Sequence, residues 1–225
     1  MIVHRLGPIL AVLLIGGSSD SVTPQSSAQH NFGGTIEGRV VVPMQPARRR
    51  AERYLDATAP AATPRVQSIP AVVFIRGEVE GVRTRVAAMR LAQRDTVFTP
   101  AVLVVPVGST VEFPNRDDFF HNVFSYSSPK RFDLGRYPRG ESKSVRFDEP
   151  GIVRIYCEVH ESMRSAVIVT GNPYHAVVAE DGSFAIDDVP AGRHVLEIWH
   201  SDHDVRTVTV DVEAGRTTTL TIELD

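Results

Sequence analysis

Apolar and polar positions alternate along most of the chain from residue 34 onward, and the runs are short and separated by turn residues. Residues 35–42 alternate and then meet Pro43, which predicts a strand with a defined end. Ala71, Val72, Val73, Phe74 and Ile75 form an unbroken apolar run, as expected of a strand buried on both faces. Further strands are predicted over 86–92, 98–106, 110–113, 123–126, 144–147, 152–156 and 166–170. About seven short strands with turns between them indicate a Greek-key sandwich. Residues 129–140, rich in turn formers and aromatics, are expected to be a loop packed over it. The pattern stays β to the end, with strands over 176–179, 184–186, 194–199, 206–212 and 217–224. Glu180, Asp181, Gly182 and Ser183 read as a hairpin turn. The fold class is all-β.

Residues 43–70 interrupt this pattern with five prolines, several alanines and the run Arg48, Arg49, Arg50. They read as a linker or long surface loop, with one helical turn around 51–55. The arginines are expected to be solvated, with docking of an acidic partner as the alternative. The 225 residues suit two small domains, or one with an insertion. With 42% hydrophobic and 23% charged residues the composition is that of a globular protein. A formal charge of −3 lacks the basic excess of a nucleic-acid binder.

At the N-terminus, His4 and Arg5 precede an apolar run from Leu6 to Ile15 and a small polar stretch ending at Ser26, Ser27 and Ala28. The run is shorter than the ~20 residues that span a bilayer. Residues 1–28 therefore read as a secretory signal peptide, with a periplasmic or secreted mature chain and no membrane span in it. Export gives meaning to the lone cysteine, Cys157, which cannot form an internal disulfide. It is a buried thiol, an intermolecular link or a metal ligand.

The neighbours of that cysteine favour a metal. Cys157, His160 and Met163 place a thiolate, an imidazole and a thioether within seven residues, just after the predicted strand 152–156. Two histidines and a cysteine in a plane, with a weak axial methionine, suit an electron-transfer copper centre. The second histidine is best supplied by His121, which follows the predicted strand 110–113. The ligand set is thus His121, Cys157, His160 and Met163 around one copper ion cycling between Cu(I) and Cu(II).

Residues 108–115 read G-x-x-V-x-F-x-N, His121, Asn122 and Val123 follow, and C-x-x-H-x-x-M comes later between two β-rich runs. Together these resemble the cupredoxins, the type 1 blue copper proteins, and the short Cys-to-Met spacing is more similar to amicyanin than to plastocyanin. The resemblance implies a cupredoxin domain over residues 81–171. It also implies that the Asn122 side chain bridges the two ligand segments, and that electrons pass through the exposed edge of His160 to a redox partner docked there. Phe119, Phe120 and Val159 are candidates for the apolar contact, and Glu158, Glu161 and Arg164 for a charged rim. Some proteins of this kind carry the label methylamine utilisation protein, but no residue pattern here identifies an amine dehydrogenase surface.

Residues 181–186 and 189–192 resemble the transthyretin-like, carboxypeptidase-regulatory β-sandwich, whose G-x-I-x-G-x-V strand is matched by residues 34–40 at the other end of the chain. The implied domain is discontinuous, residues 34–80 with 172–225, and the cupredoxin is inserted in it.

His200 and His203 are candidates for a second metal, although exposed turn histidines are the simpler reading. No H-x-H pair, nucleophile elbow, P-loop or dinucleotide fingerprint occurs. The expected function is a one-electron carrier and not an enzyme. The alternative is copper delivery or storage, or a scaffold module with the second sandwich as its binding surface; a metal-free sandwich is the third reading.

Overall fold

The structure is a computed structural model, and it describes residues 33–43 and 68–225. The expected signal peptide, the three arginines at 48–50 and the helical turn at 51–55 lie outside the described residues. Among the described residues every regular element is a strand. No helix there is long and apolar enough to cross a membrane.

The strands build two sandwiches. In the first, β6 (Val102–Pro106), β8 (His121–Ser125), β9 (Phe132–Tyr137), β11 (Gly151–Tyr156) and β12 (Arg164–Thr170) form a five-stranded sheet in the order β6-β12-β11-β8-β9. The facing sheet is β10 (Ser142–Phe147), β7 (Ser109–Pro114) and β3 (Ala88–Arg90). A hairpin of β4 (Ala92–Arg94) and β5 (Val97–Thr99) joins it through a bridge from Gln93 to Asn115. The inward residues of these strands, among them Leu91, Phe98, Val111, Phe113, Val153, Ile155 and Val167, form one buried core. This is a cupredoxin-like arrangement.

The second sandwich packs the sheet β13-β2-β15-β16 against β14-β1-β17. Its strands are β1 (Gly34–Val41), β2 (Val72–Ile75), β13 (His175–Val177), β14 (Ser183–Val189), β15 (Gly192–Trp199), β16 (Arg206–Val212) and β17 (Thr217–Glu223). Strands β1 and β2 thus pair only with strands beyond residue 174, around a core that includes Ile36, Val73, Ile75, Ile186, Leu196 and Ile222. Gly38 sits mid-strand because a Cβ there would lie 2.1 Å from the Leu220 carbonyl oxygen of parallel β17. The apolar run at 71–75 is buried on both faces for a specific reason. Val73 and Ile75 enter the second core, whereas Val72 and Phe74, with Ile69 and Trp199, meet Val102, Val104, Ala166 and Ile168 of the first sandwich. The two sandwiches therefore share an apolar seam.

Three expectations differ in detail. Residues 129–140 are not a loop: Phe132–Tyr137 is edge strand β9, paired with β8, and Tyr137 is buried. Its apolar alternation at Phe132 and Leu134 breaks at Gly135, whose φ is +63°, and resumes with Tyr137 inward, so no clean period marks it. The strand expected over 86–92 divides at fully buried Leu91, β3 pairing with β7 and β4 with β5. The turn at 180–183 closes as a hairpin turn, with Gly182 N–H donating to Ala179 C=O and Ala179 N–H to Ser183 C=O, but the chain diverges on either side of it. Its flanking strands β13 and β14 pair with different partners in different sheets.

Candidate metal centre

The copper-type residues converge at one end of the first sandwich. Strand β11 ends at Tyr156 and β12 begins at Arg164, these two residues forming the last pair of the ladder. The segment between them must reverse direction, and its own backbone closes it: Met163 N–H donates to His160 C=O, and Cys157 N–H to Met163 C=O. Cys157 continues the inward face of β11 and Met163 is fully buried in the same core cluster. His121 opens strand β8, which pairs with β11 at Phe124 and Tyr156, so a second segment arrives beside the loop.

His121 Nδ1 lies 3.7 Å from Cys157 Sγ and 3.2 Å from His160 Nδ1. Donor atoms of the three residues all fall within 4.8 Å of one another, the only such cluster of His, Cys, Asp and Glu among the described residues. An ion about 2.0–2.3 Å from each nitrogen and thiolate, at angles of about 100–120°, would separate its donors by about 3.1–3.9 Å. The two closest separations fall in that range, and the set of two imidazoles, one thiolate and a buried thioether suits copper better than an oxygen-loving ion. The residues present fit the metal.

Sequence reasoning missed what holds His121. Its Nε2 lies 2.8 Å from Asp117 Oδ2, and Asp117 is 8% exposed. The Asp117 carboxylate also accepts N–H groups from Asp95, at 2.6 Å, and Thr96, at 3.0 Å. Those two residues are the turn of the β4–β5 hairpin and both have positive φ, 55° and 60°. Such a primed turn aims successive N–H groups at one side, where an anion is welcome. Asn115 completes the frame: its Oδ1 accepts Asp117 N–H, and its Nδ2 donates to the Phe119 and Tyr137 carbonyls. The available signal was an acid four residues before a ligand histidine, the usual way an imidazole's far nitrogen is oriented.

Asn122 Oδ1 accepts the Glu158 N–H at 2.8 Å, linking β8 to the ligand loop. Phe119 covers the site, its ring centroid 5.0 Å from that of His121 and 5.2 Å from that of His160. His160 itself is half-buried.

The surroundings make the Cys157 thiol easier to ionise. Burial pushes the Cys157 thiol up, but hydrogen bonding to His121 and to the backbone N–H groups of Asn122, His160 and Val159 outweighs it and lowers the pKa. Burial disfavours a charged His121, yet its bonds to Cys157 and Asp117 raise its pKa above the ordinary value. For His160, burial and then the neighbouring charge of His121 lower the pKa. Asp117 resists burial through Thr96, His121 and Asp95 and is held below the usual carboxylate range.

His200 and His203 do not form a comparable site. Their ring centroids are 5.1 Å apart, but His203 Nδ1 is engaged by the Asp225 carbonyl and His200 Nδ1 accepts the Asp202 N–H.

Comparison with known proteins bears on both sandwiches. Residues 86–170 match the copper binding proteins of the plastocyanin/azurin family. Residues 159–223 match the β-sandwich domain of ER membrane protein complex subunit 7, rather than a carboxypeptidase-regulatory domain, and this match overlaps the first by the ligand loop and β12. No curated protein matches. Among solved structures, a purple cupredoxin from Nitrosopumilus maritimus is 24% identical, with a TM-score of 0.34 over 36% of this chain and 99% of that one. A mutant amicyanin in its Cu(I) form is 22% identical, with a TM-score of 0.35 over 43% of this chain and 97% of that one. A copper-containing nitrite reductase from Thermus scotoductus SA-01 is 24% identical, with a TM-score of 0.36 over 49% of this chain and 27% of that one.

Proposed function

We propose that the chain is an exported one-electron carrier holding a single copper ion on His121, Cys157, His160 and Met163. The observation that carries the reading is the convergence of the first three donors, within 4.8 Å, with fully buried Met163 in the same core cluster as Cys157. Bound there, copper would supply a single redox electron shared with sulfur, cycling between Cu(I) and Cu(II). The chain supplies the rest. The Cys157 thiol is made easier to ionise, Asp117 and Asn115 hold the His121 ring, and Asn122 ties the loop to β8. Donors fixed in this way have little to rearrange when charge changes. Four protein ligands also leave no open position for a substrate, which favours a carrier over a catalyst.

A redox partner would dock over His160. Phe119, Phe120 and Val159 are 43%, 55% and 40% exposed around it and offer an apolar contact. The charged rim is narrower than the sequence suggests. Arg136 donates twice to Glu158, so that position brings a neutralised pair to the rim, and Arg164 lines a cavity at the seam. Export to the periplasm or beyond is supported by the N-terminal apolar segment. A discontinuous domain of residues 34–80 and 172–225 around an inserted 81–171 is supported by the pairing of β1 and β2.

The test is addition of cupric ion to the mature chain, with visible spectra of wild type and Cys157→Ser. An intense thiolate-to-copper band in wild type, absent from the variant, with a reversible potential, is the expected result. A colourless protein that yields cuprous ion to a chelator would replace electron transfer by delivery or storage. Failure of either chain to take up copper would end the metal reading.

A further inference from the structure

A small cavity of about 50 Å³ lies at the seam, lined by Arg154, Tyr156, Arg164, Trp199 and Ser201 among others. It is on the far face of β11 and β12 from the candidate copper donors. Val153, Ile155 and Cys157 point into the first core, so the alternate residues Arg154 and Tyr156 point the other way, and Arg164 sits opposite Tyr156 in the ladder. Trp199 closes the cavity from β15 of the second sandwich.

The polar lining is rich in donors and holds no carboxylate. Trp199 is 1% exposed, yet its indole Nε1–H has no hydrogen-bond partner. Buried N–H groups are rarely left so, and an orphan asks for an acceptor. Neither Arg154 nor Arg164 is paired with an acidic side chain among the described residues. Arg154 is exposed and Arg164 half-buried, so solvent screens part of both charges; a water would satisfy the indole alone, whereas an anion would draw on the indole and on both guanidinium groups. Size narrows the choice, because a water's share of the liquid is about 30 Å³ and the cavity holds less than two. Chloride or one planar carboxylate group fits; a hydrated tetrahedral dianion does not.

We propose that this cavity binds a small monovalent anion, chloride or a single carboxylate group, between the indole N–H of Trp199 and the guanidinium groups of Arg154 and Arg164. The bound anion ties the strands that carry the ligand loop to the second sandwich. It does so whatever metal the loop holds.

Trp199 is the only tryptophan, so the ¹⁵N-labelled full chain has one indole N–H resonance. The chain is used as purified and under reductant, so any copper present is diamagnetic. Chloride, acetate or sulfate replaces a bulky organic sulfonate, 2-(N-morpholino)ethanesulfonate, at constant ionic strength. Expected is a saturable shift of the indole resonance with chloride or acetate and none with sulfate. Binding should weaken about tenfold in Arg164→Gln and again in Arg154→Gln, as for loss of a charged hydrogen bond. Far-ultraviolet circular dichroism establishes that the variants fold. The stronger of chloride and acetate identifies which source of negative charge the cavity takes. A resonance that moves with neither, or that responds equally in wild type and in both folded variants, overturns the proposal.

Discussion

Replacing Asp117 by alanine should show whether the copper-type loop is held by its own closure or by the hairpin behind it. In the metal-free chain Asp117 accepts three hydrogen bonds, from His121 Nε2 and from the N–H groups of Asp95 and Thr96. The His121 ring is fully buried, so loss of its ionised acceptor costs about 1.5–3 kcal/mol. The two turn amides lie near the surface and can be rehydrated, so they contribute about 0.5–1.5 kcal/mol each. The sum, about 2.5–6 kcal/mol, is a large part of the 5–15 kcal/mol typical of a folded domain. Asp117→Asn keeps one acceptor oxygen and turns an N–H₂ group toward the remaining donors, and should lose roughly half as much. The assay is urea unfolding of metal-free protein near neutral pH, repeated at acid pH. The folded pKa of Asp117 lies below its ordinary value of 3.8. Its contribution is therefore complete above the unfolded value and is lost as pH falls through the folded one, so wild-type and alanine curves should converge in strong acid. An alanine variant within about 1 kcal/mol of wild type at neutral pH would refute the claim that the hairpin turn positions His121.

Metal affinity should rise with pH through the His121 titration, centred above the ordinary 6.5, because the raised pKa makes a proton compete with the ion; competition against a chelator from pH 5 to 8 reads it. Cys157, with its pKa lowered, should hold its proton against the ion less tightly than an ordinary thiol does; the thiolate ultraviolet absorbance of the metal-free chain, followed against pH, should rise at lower pH than that of a free cysteine. Trp199→Ala, at a fully buried seam position, should cost about 3–5 kcal/mol, read by urea unfolding. If both sandwiches are monitored separately, by the visible band and by the β16–β17 amides, that loss should appear in both. Glu158→Gln should change electron-transfer rates with a partner only slightly at low salt, since Arg136 already neutralises Glu158, and exposed pairs of this kind contribute about 0–1 kcal/mol.

Strand positions were readable because burial imposes period two: Ser109–Pro114 and Gly151–Tyr156 alternate, and the structure buries the expected face of each. The three clustered donors were readable because Cys157 and His160 sit on one tight loop with few geometric choices. Edge strand β9 was not, since one of its sides has no neighbour to enforce a period and Gly135 resets it. The role of Asp117 was hidden for a different reason. Its partners at Asp95 and Thr96 come from a hairpin more than twenty residues earlier, and they act through backbone N–H groups, which carry no side-chain signature. The shared seam was equally unreadable: Val72 and Val73 look alike in sequence, yet one faces the seam and the other the second core.

That seam bears on how the donors are held. The ligand loop spans the open end of the β11–β12 ladder, so any scissoring of the two strands would part Cys157 from His160. The inner faces of the strands are clamped by the first core, through Val153, Ile155 and Val167. Their outer faces are clamped by the second sandwich, where Ala166 and Ile168 meet Val72, Phe74 and Trp199. Burying both faces leaves the ladder little freedom to open, and His121 is fixed independently by Asp117 and the β4–β5 turn. Preorganisation then rests on two supports that share no residue. Trp199→Ala and Asp117→Ala should therefore have nearly additive effects on unfolding free energy, as distant sites do, within about 0.5 kcal/mol. Coupling well beyond that in the double variant would mean that the seam and the turn hold the same element, and that the loop is not clamped from two sides.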